Sequence, residues 1–546
     1  MPRTGGQLVV DSLLANGVSR IFGVPGESYL PILDALVDAP EIRFTVARHE
    51  GGAAMMAEAY GKLTGRPGVC LVTRGPGAAN ASSGVHVAAQ DSTPMILLIG
   101  QISRDDTDRE AFQEVDFTAV FGSQVKWAAQ VNDTARLPEY MARAFSCAMS
   151  GRPGPVVLAL PEDVLSASAE TVSAVPSTAS VAAPAPEQVA AFRDRLMAAE
   201  RPLVVVGGAG WGPDDPARLV AFAERWALPV VCSFRRQDRF PNDHPNYGGD
   251  AGLGVNPALA GRIRDSDLIV ALGARLSDSM TSSYTLMDSP RPRQGLVHIH
   301  ADPDELGRVY QPEIAINSGI SSFLQAIGTL PPPEDPAWTD WTSQINADYR
   351  KWSDAATDVP GDFNLGEAVI WLRENLPEDA VITNGAGNYS VWVHRFFRHR
   401  RPLTQLAPTS GSMGYGLPAA IAASLHSPER PVVAFAGDGC FQMTCQELGT
   451  IAENGLKIIV VVVNNGMYGT IRMHQENHYP KRVSGTDLFN PDFVALARAY
   501  GLNGEKIVRT GDFPDAMQRA LASDTASVIE VIPDQRVLTP ARFLDR

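Results

Sequence analysis

A carboxylate and two carboxamides, set at the ends of apolar runs, carry the first chemical signal in this sequence. After PVVAFA comes Gly437-Asp438-Gly439, and after the next run, KIIVVVV, comes Asn464-Asn465. Glycine lets backbone N–H groups approach a phosphate closely. Asp438 and Asn465 offer the hard oxygen donors that octahedral Mg²⁺ takes. A cation held there would neutralise a diphosphate. Gly-Asp-Gly alone is as readily a tight turn; the Asn pair at the end of the following run makes ligand binding the stronger reading. A second candidate is Glu50, in FTVARHE, followed by the small-residue stretch GGAAMMAEAYGKLTG and the loop VCLVTRGPGAAN. A glutamate in a mostly apolar pocket can exchange a proton near neutral pH. Standing alone before a helix, it would be a first-turn charge that answers the helix dipole.

These residues need elements to position them. Short Val/Ile/Leu-rich runs alternate with helical patterns along the whole chain: Gly68–Thr73 and Met95–Gly100, Pro202–Gly207 and Leu268–Gly273, Pro431–Ala436 and Leu456–Asn464. Continuous apolar strands separated by helices indicate parallel sheets covered on both faces. Ligands in such sheets bind outside the carboxyl ends of strands, where the polar residues above fall. Composition divides the chain. The stretch 166–187, SASAETVSAVPSTASVAAPAPE, cannot build a core and reads as a linker, and the proline-rich break 331–338 reads as another. The expected architecture is α/β, with three doubly wound parallel-sheet domains at 1–165, 188–330 and 339–546.

Bulk properties exclude other classes. A chain of 546 residues with 45% hydrophobic and 20% charged residues has room for several full cores and an ordinary globular composition. Its formal charge of −15 argues against a nucleic-acid partner, which needs a basic surface. Cys70, Cys147, Cys232, Cys440 and Cys445 show no paired spacing and read as core residues of a protein in a reducing cytoplasm. The amino terminus reads as an amphipathic helix rather than an export signal. Runs such as Lys457–Val463 are too short to span a bilayer, so no membrane partner is expected.

Gly437-Asp438-Gly439 with Asn464-Asn465 resembles the motif of thiamine diphosphate-dependent enzymes. Nearly the whole chain is similar to the acetohydroxyacid (acetolactate) synthase-like branch of that superfamily. The resemblance implies pyrimidine, central and diphosphate domains in chain order. It also implies Mg²⁺ held by Asp438, Asn465 and the carbonyl of Met467. TSGSMGYGLPAAIAA matches the segment in which a bulky apolar residue, here Met413, props the cofactor into a bent shape. Gly387, Asn388, Ser412, Gly437, Gly439 and Tyr468 fall at further cofactor-binding positions. Glu50 matches the glutamate that hydrogen-bonds the aminopyrimidine, and Gly75, Pro76 and Gly77 match the loop that closes over it. Family members place these halves on two subunits, which implies a homodimer or homotetramer.

The resemblance narrows the reaction. Ala111-Phe112-Gln113-Glu114 and Lys126 match substrate-facing positions, with Gln113 reaching an oxygen of the reacting substrate. They favour decarboxylation of a 2-oxo acid followed by attack on a second carbonyl. The acceptor-binding positions depart from the pattern. Ser279 stands where an arginine is expected, His474 where a tryptophan is, and Thr470 where a methionine is. Branched-chain amino-acid biosynthesis is therefore doubtful. Glu27, after Val24-Pro25-Gly26, matches a proton donor of pyruvate decarboxylase-like relatives and keeps simple decarboxylation open as an alternative. It also reads as a helix N-terminal charge before 29–36. Ser28 and His474 are pocket candidates, and His474 reads equally as an exposed helix residue. Gly207-Gly208-Ala209-Gly210, Gly273-Ala274-Arg275 and His300-Ala301-Asp302-Pro303 fall where some relatives bind FAD; flavin is compatible with them but not predicted. A flavin-linked 2-oxo acid oxidase and a non-catalytic relative remain as further alternatives.

Overall fold

Runs of Val, Ile and Leu become buried strands because each residue so placed contributes about 1.5–3 kcal/mol when it leaves water. In the computed structural model, which describes residues 2–544, such strands form three six-stranded sheets with every neighbouring pair parallel. The first sheet has strands Arg20–Gly23, Arg43–Val46, Gly68–Val72, Met95–Gln101, Trp127–Gln130 and Pro155–Pro161. Counted along the chain, they lie in the order 2-1-3-4-6-5. The third sheet repeats that order with Val381–Asn384, Gln405–Leu406, Val432–Gly437, Ile458–Val463, Asn503–Ile507 and Ser527–Val531. The middle sheet differs. Its strands Pro202–Val206, Val230–Ser233, Tyr247–Ala251, Leu268–Leu272, Gly295–His300 and Ile314–Asn317 run 3-2-1-4-5-6.

Two compact units contain these sheets: residues 2–180 with 417–427 and 444–456, and residues 181–416 with 428–443 and 457–544. In the first unit, helices Glu50–Thr64 and Pro76–Asp91 approach closely because small residues face each other; a Cβ on Gly84 would lie 2.4 Å from that of Ala54. A Cβ on Gly68 would come within 1.8 Å of the Ala57 carbonyl oxygen, so the strand seats on the helix only with glycine there.

The strands begin and end within about two residues of the apolar runs. Glu27–Tyr29 forms a 3₁₀ turn, and the helix expected over 29–36 spans Leu30–Val37. Most of 166–187 is exposed and irregular, but Ser168–Ala169 pairs antiparallel with Arg3–Thr4, and Pro186 opens the helix Pro186–Met197. After the second proline-rich break, helix Thr339–Ser353 sends Trp341, Ile345 and Tyr349 into the core of the middle sheet, where Trp338 also lies. That break therefore precedes the last helix of the middle core.

Candidate active site

In a doubly wound sheet a crevice opens where strand order reverses, and in the third sheet this lies between strands 1 and 3. A cavity of about 250 Å³ sits there. It is lined by Ala386, Gly387 and Asn388 after strand 1, by Gly437, Asp438 and Gly439 at the end of strand 3, and by Asn465, Met467 and Tyr468 after strand 4. Met413 and Thr470 complete its wall. These residues, spread from 386 to 470 in the chain, thus converge because all follow strand ends of one sheet.

Asp438 is the best-held of these groups. It is 2% exposed, and its Oδ1 accepts from Gly439 N at 2.9 Å. Its Oδ2 accepts from Gly466 N at 2.8 Å and Asn490 Nδ2 at 2.7 Å. Burial nevertheless pushes its carboxyl above the ordinary carboxylate range, against the pull of these hydrogen bonds. A buried anion in that condition lacks a counter-charge, which a divalent cation would supply. The two asparagines divide their work. Asn464 donates to Glu530 at 2.6 Å and accepts from Asn490 at 2.9 Å, a structural network, whereas Asn465 faces the cavity with its Oδ1 3.3 Å from Met467 N.

Asn490, whose carboxamide orients both Asp438 and Asn464, was not legible in the motif, because it follows an exposed loop 52 residues further on. Tyr389 was also unforeseen. Its hydroxyl accepts from Gly385 N at 3.1 Å and contacts Cys440 Sγ at 3.3 Å, and its ring floors the cavity beneath Gly387 and Gly437. Cys440 is a buried core residue as expected from its surroundings, and it also lines the cavity. Thr470 donates to Asn388 Oδ1 at 2.8 Å. Ser412 lies beside the cavity wall, hydrogen-bonded to Ser410 at 2.9 Å. His474 is exposed on helix Gly469–His478, outside the cavity lining.

The first sheet reverses order between the same two strands. Glu50 is the first residue of helix Glu50–Thr64 and is half-buried, more exposed than an enclosed apolar pocket would make it. Its Oε2 accepts from Asn80 Nδ2 at 3.0 Å. Gly77 keeps the space around Oε1 clear, since a Cβ there would lie 3.2 Å from that oxygen. Gly75, at φ 59°, caps helix Pro76–Asp91, and Gln113 packs against it. Gln113 itself has φ 65°, in the left-handed region that strains a non-glycine residue, so its loop is held in an uncommon conformation.

Arg74 holds that loop. Its guanidinium is almost buried, donates to the Phe112 carbonyl at 3.1 Å, and pairs with Glu162 and, at 3.3 Å, with Glu27. Glu27 is therefore an exposed partner of Arg74, and Phe112 is 71% exposed. Ser28 is fully buried and bonded to Thr73 Oγ1 at 2.8 Å. Lys126 is exposed and donates to the Ser150 carbonyl. In the middle sheet, packing accounts for Gly207 and Gly208, two of the glycines considered for flavin, while Gly210 sits at φ 80° with open space beside it. A Cβ on Gly207 would meet Ser233 Oγ at 2.0 Å, and one on Gly208 the Gly273 carbonyl at 2.0 Å. They carry no argument for FAD.

Comparison with known proteins agrees with this geometry. Residues 3–120 match the N-terminal TPP binding domain of the thiamine pyrophosphate enzymes, 189–327 their central domain, and 385–531 their C-terminal TPP binding domain. The chain belongs to the thiamine pyrophosphate enzymes. It is 33% identical over 535 residues to the acetolactate synthase isozyme 2 large subunit of Escherichia coli, covering 97% of this chain and 96% of that one. It is 34% identical over 541 residues to an acetolactate synthase large subunit of Parasynechococcus marenigrum, covering 97% and 87%. Within the family it falls in the acetolactate synthase-like branch, as a thiamine diphosphate-dependent enzyme of the decarboxylase and carboligase type.

Proposed function

We propose that this enzyme decarboxylates a 2-oxo acid and transfers the resulting acyl fragment to a second carbonyl compound, using thiamine diphosphate and Mg²⁺. The observation that carries the reading is the convergence of Asp438, Asn465 and Met413 on one cavity at the strand reversal of the third sheet. Asp438 Oδ, Asn465 Oδ1 and the Met467 carbonyl would hold the cation, a hard-oxygen set suited to Mg²⁺. Gly387, Asn388, Ser412, Gly437, Gly439 and Tyr468 would receive the diphosphate end, and Met413 the thiazolium ring. Held there, thiamine diphosphate would supply a carbon nucleophile and an electron sink for the loss of CO₂.

The chain's own residues handle protons and orientation. With Oε2 of Glu50 occupied by Asn80, Oε1 is the oxygen that takes and returns a proton at the aminopyrimidine nitrogen. Gly75, Pro76 and Gly77 leave room for that ring. Gln113, held by its strained loop, hydrogen-bonds the substrate oxygen, with Phe112, Ser28, Lys126, Thr470 and His474 as the remaining substrate-pocket candidates. Glu27, an exposed partner of Arg74, is the proton-donor candidate should the reaction stop at simple decarboxylation. Ser279 in place of an arginine withdraws one cation that would pair with a second carboxylate, which favours an uncharged carbonyl acceptor over a second 2-oxo acid. We further propose a cytoplasmic homodimer or homotetramer with sites between subunits; free cysteines support the compartment. Among the described residues no helix is long and apolar enough to cross a membrane.

The test is proton NMR of products from purified protein, thiamine diphosphate and Mg²⁺ with a panel of 2-oxo acids, each with and without aldehyde or 2-oxo acid acceptors. A cofactor-dependent acyloin is the expected product. Aldehyde alone would return the assignment to a decarboxylase and make Glu27 the next residue to replace.

A further inference from the structure

Glu447 lies between strands Val432–Gly437 and Ile458–Val463 in sequence, yet its partners sit near the start of the chain, in the same compact unit. It is fully buried. Oε1 accepts from the backbone N–H of Arg48 at 3.1 Å and of His49 at 3.1 Å, while Oε2 accepts from Arg48 N at 3.2 Å and Thr450 Oγ1 at 2.7 Å. These two amides belong to the residues immediately before Glu50. Gly52, in the first turn of the helix that Glu50 opens, makes the approach possible, because a Cβ there would lie 2.5 Å from Glu447 Oε1. The same segment grips the loop once more, where the Arg48 guanidinium reaches Glu453 at 2.7 Å.

A carboxylate that leaves water completely is retained only where its hydrogen bonds repay the desolvation, and here they come from two backbone amides and the Thr450 hydroxyl rather than from a cation. The two amides face no other partner in the strand or the helix, since they fall between the end of Arg43–Val46 and the start of Glu50–Thr64. We propose that Glu447 is a positioning residue for Glu50: it fastens the two amides before Glu50 and so fixes the direction in which the Glu50 carboxylate leaves the chain. Asn80 then sets the carboxylate's rotation from the other side. The inference rests on the reading of Glu50 as the proton-transfer residue.

The test uses the full-length holoenzyme with Glu447→Ala, Glu447→Gln, Glu50→Gln and the double variant Glu50→Gln/Glu447→Ala. Glu447→Ala is expected to lower kcat by about 10²-fold, the cost of a displaced catalytic group, with KM for the 2-oxo acid and the Kd of thiamine diphosphate little changed. Glu447→Gln keeps an oxygen for both amides and restores most of the loss. In the Glu50→Gln background the alanine substitution costs nothing further. Independently of activity, hydrogen exchange of cofactor-free protein should rise in the peptide covering residues 46–54 and stay unchanged in the strand 95–101. Additive losses, or unchanged exchange at 46–54, overturn the proposal. Should Glu447→Ala fail to fold, Glu447→Asp, one methylene short of both amides, carries the same comparison. Full turnover in Glu50→Gln would instead sink the reading of Glu50, whatever the exchange shows.

Discussion

The first and third sheets share one strand order, 2-1-3-4-6-5, and each sets polar groups beyond the carboxyl ends of its strands. They prepare these groups differently. In the third sheet Asp438 is buried, takes hydrogen bonds from Gly439, Gly466 and Asn490, and borders a cavity that the chain builds by itself. In the first, Glu50 is half-buried, with a single side-chain donor on its carboxylate and its backbone approach secured by Glu447. On the proposed reading the same topology serves two physical tasks. A cation site gains from fixed, desolvated oxygens that need no rearrangement, whereas a proton-transfer group gains from one oxygen left accessible.

That contrast can be broken most severely at Asp438. Asp438→Asn removes the buried anion while keeping its shape, and should leave protein that no longer retains thiamine diphosphate and Mg²⁺ through gel filtration, with product formation at background. Retention of both would mean that the cation is held elsewhere. Glu50→Gln is the counterpart in the first sheet. It should retain the cofactor and lose turnover by roughly 10²–10⁴-fold, the usual weight of general acid–base catalysis.

A smaller effect separates the units by pH. His49 and His86, the histidines of the first 165 residues, are exposed. In the second unit burial pushes His298 and His399 down to about 4 and holds His394 well below its ordinary value. The unfolded chain takes those protons near pH 6.5, whereas folded His298 and His399 take theirs only near 4 and His394 well below its ordinary value. Stability from these neutral histidines is thus full above the unfolded value and is lost as pH falls toward the folded one, by up to about 3 kcal/mol for His298 and for His399. Limited proteolysis between about pH 7 and pH 5 should open 181–416 before 2–165. The opposite order would contradict it. His399→Gln should flatten the pH dependence of the thermal midpoint.

The smallest predicted change is at Asn490. Asn490→Ala withdraws one of three donors from Asp438 and should weaken Mg²⁺-dependent cofactor binding by roughly 10-fold, the lower range for a residue that orients a metal ligand. Calorimetric titration would show it. Unchanged affinity would mean that the two backbone donors suffice.

Much of this was readable in the chain. Strands such as Ile458–Val463 announced themselves because six consecutive apolar residues can be satisfied only by a sheet covered on both faces, and Asp438 and Asn465 because strand ends are where such sheets expose polar groups. Asn490 and Glu447 could not be read. Each acts through a partner far away in sequence, 52 residues for Asn490 with Asp438 and 399 for Glu447 with Arg48, and no local pattern encodes such a distance. Arg74 was hidden for a like reason. An arginine after a strand is ordinary, and only folding brings Glu27, Glu162 and the Phe112 carbonyl around it. Local periodicity and short-range spacing thus determined the three sheets and the polar strand ends, since both are set by which residues must leave water. Tertiary structure alone decided which side chains orient those polar groups, because the orienting hydrogen bonds depend on where distant segments come to rest.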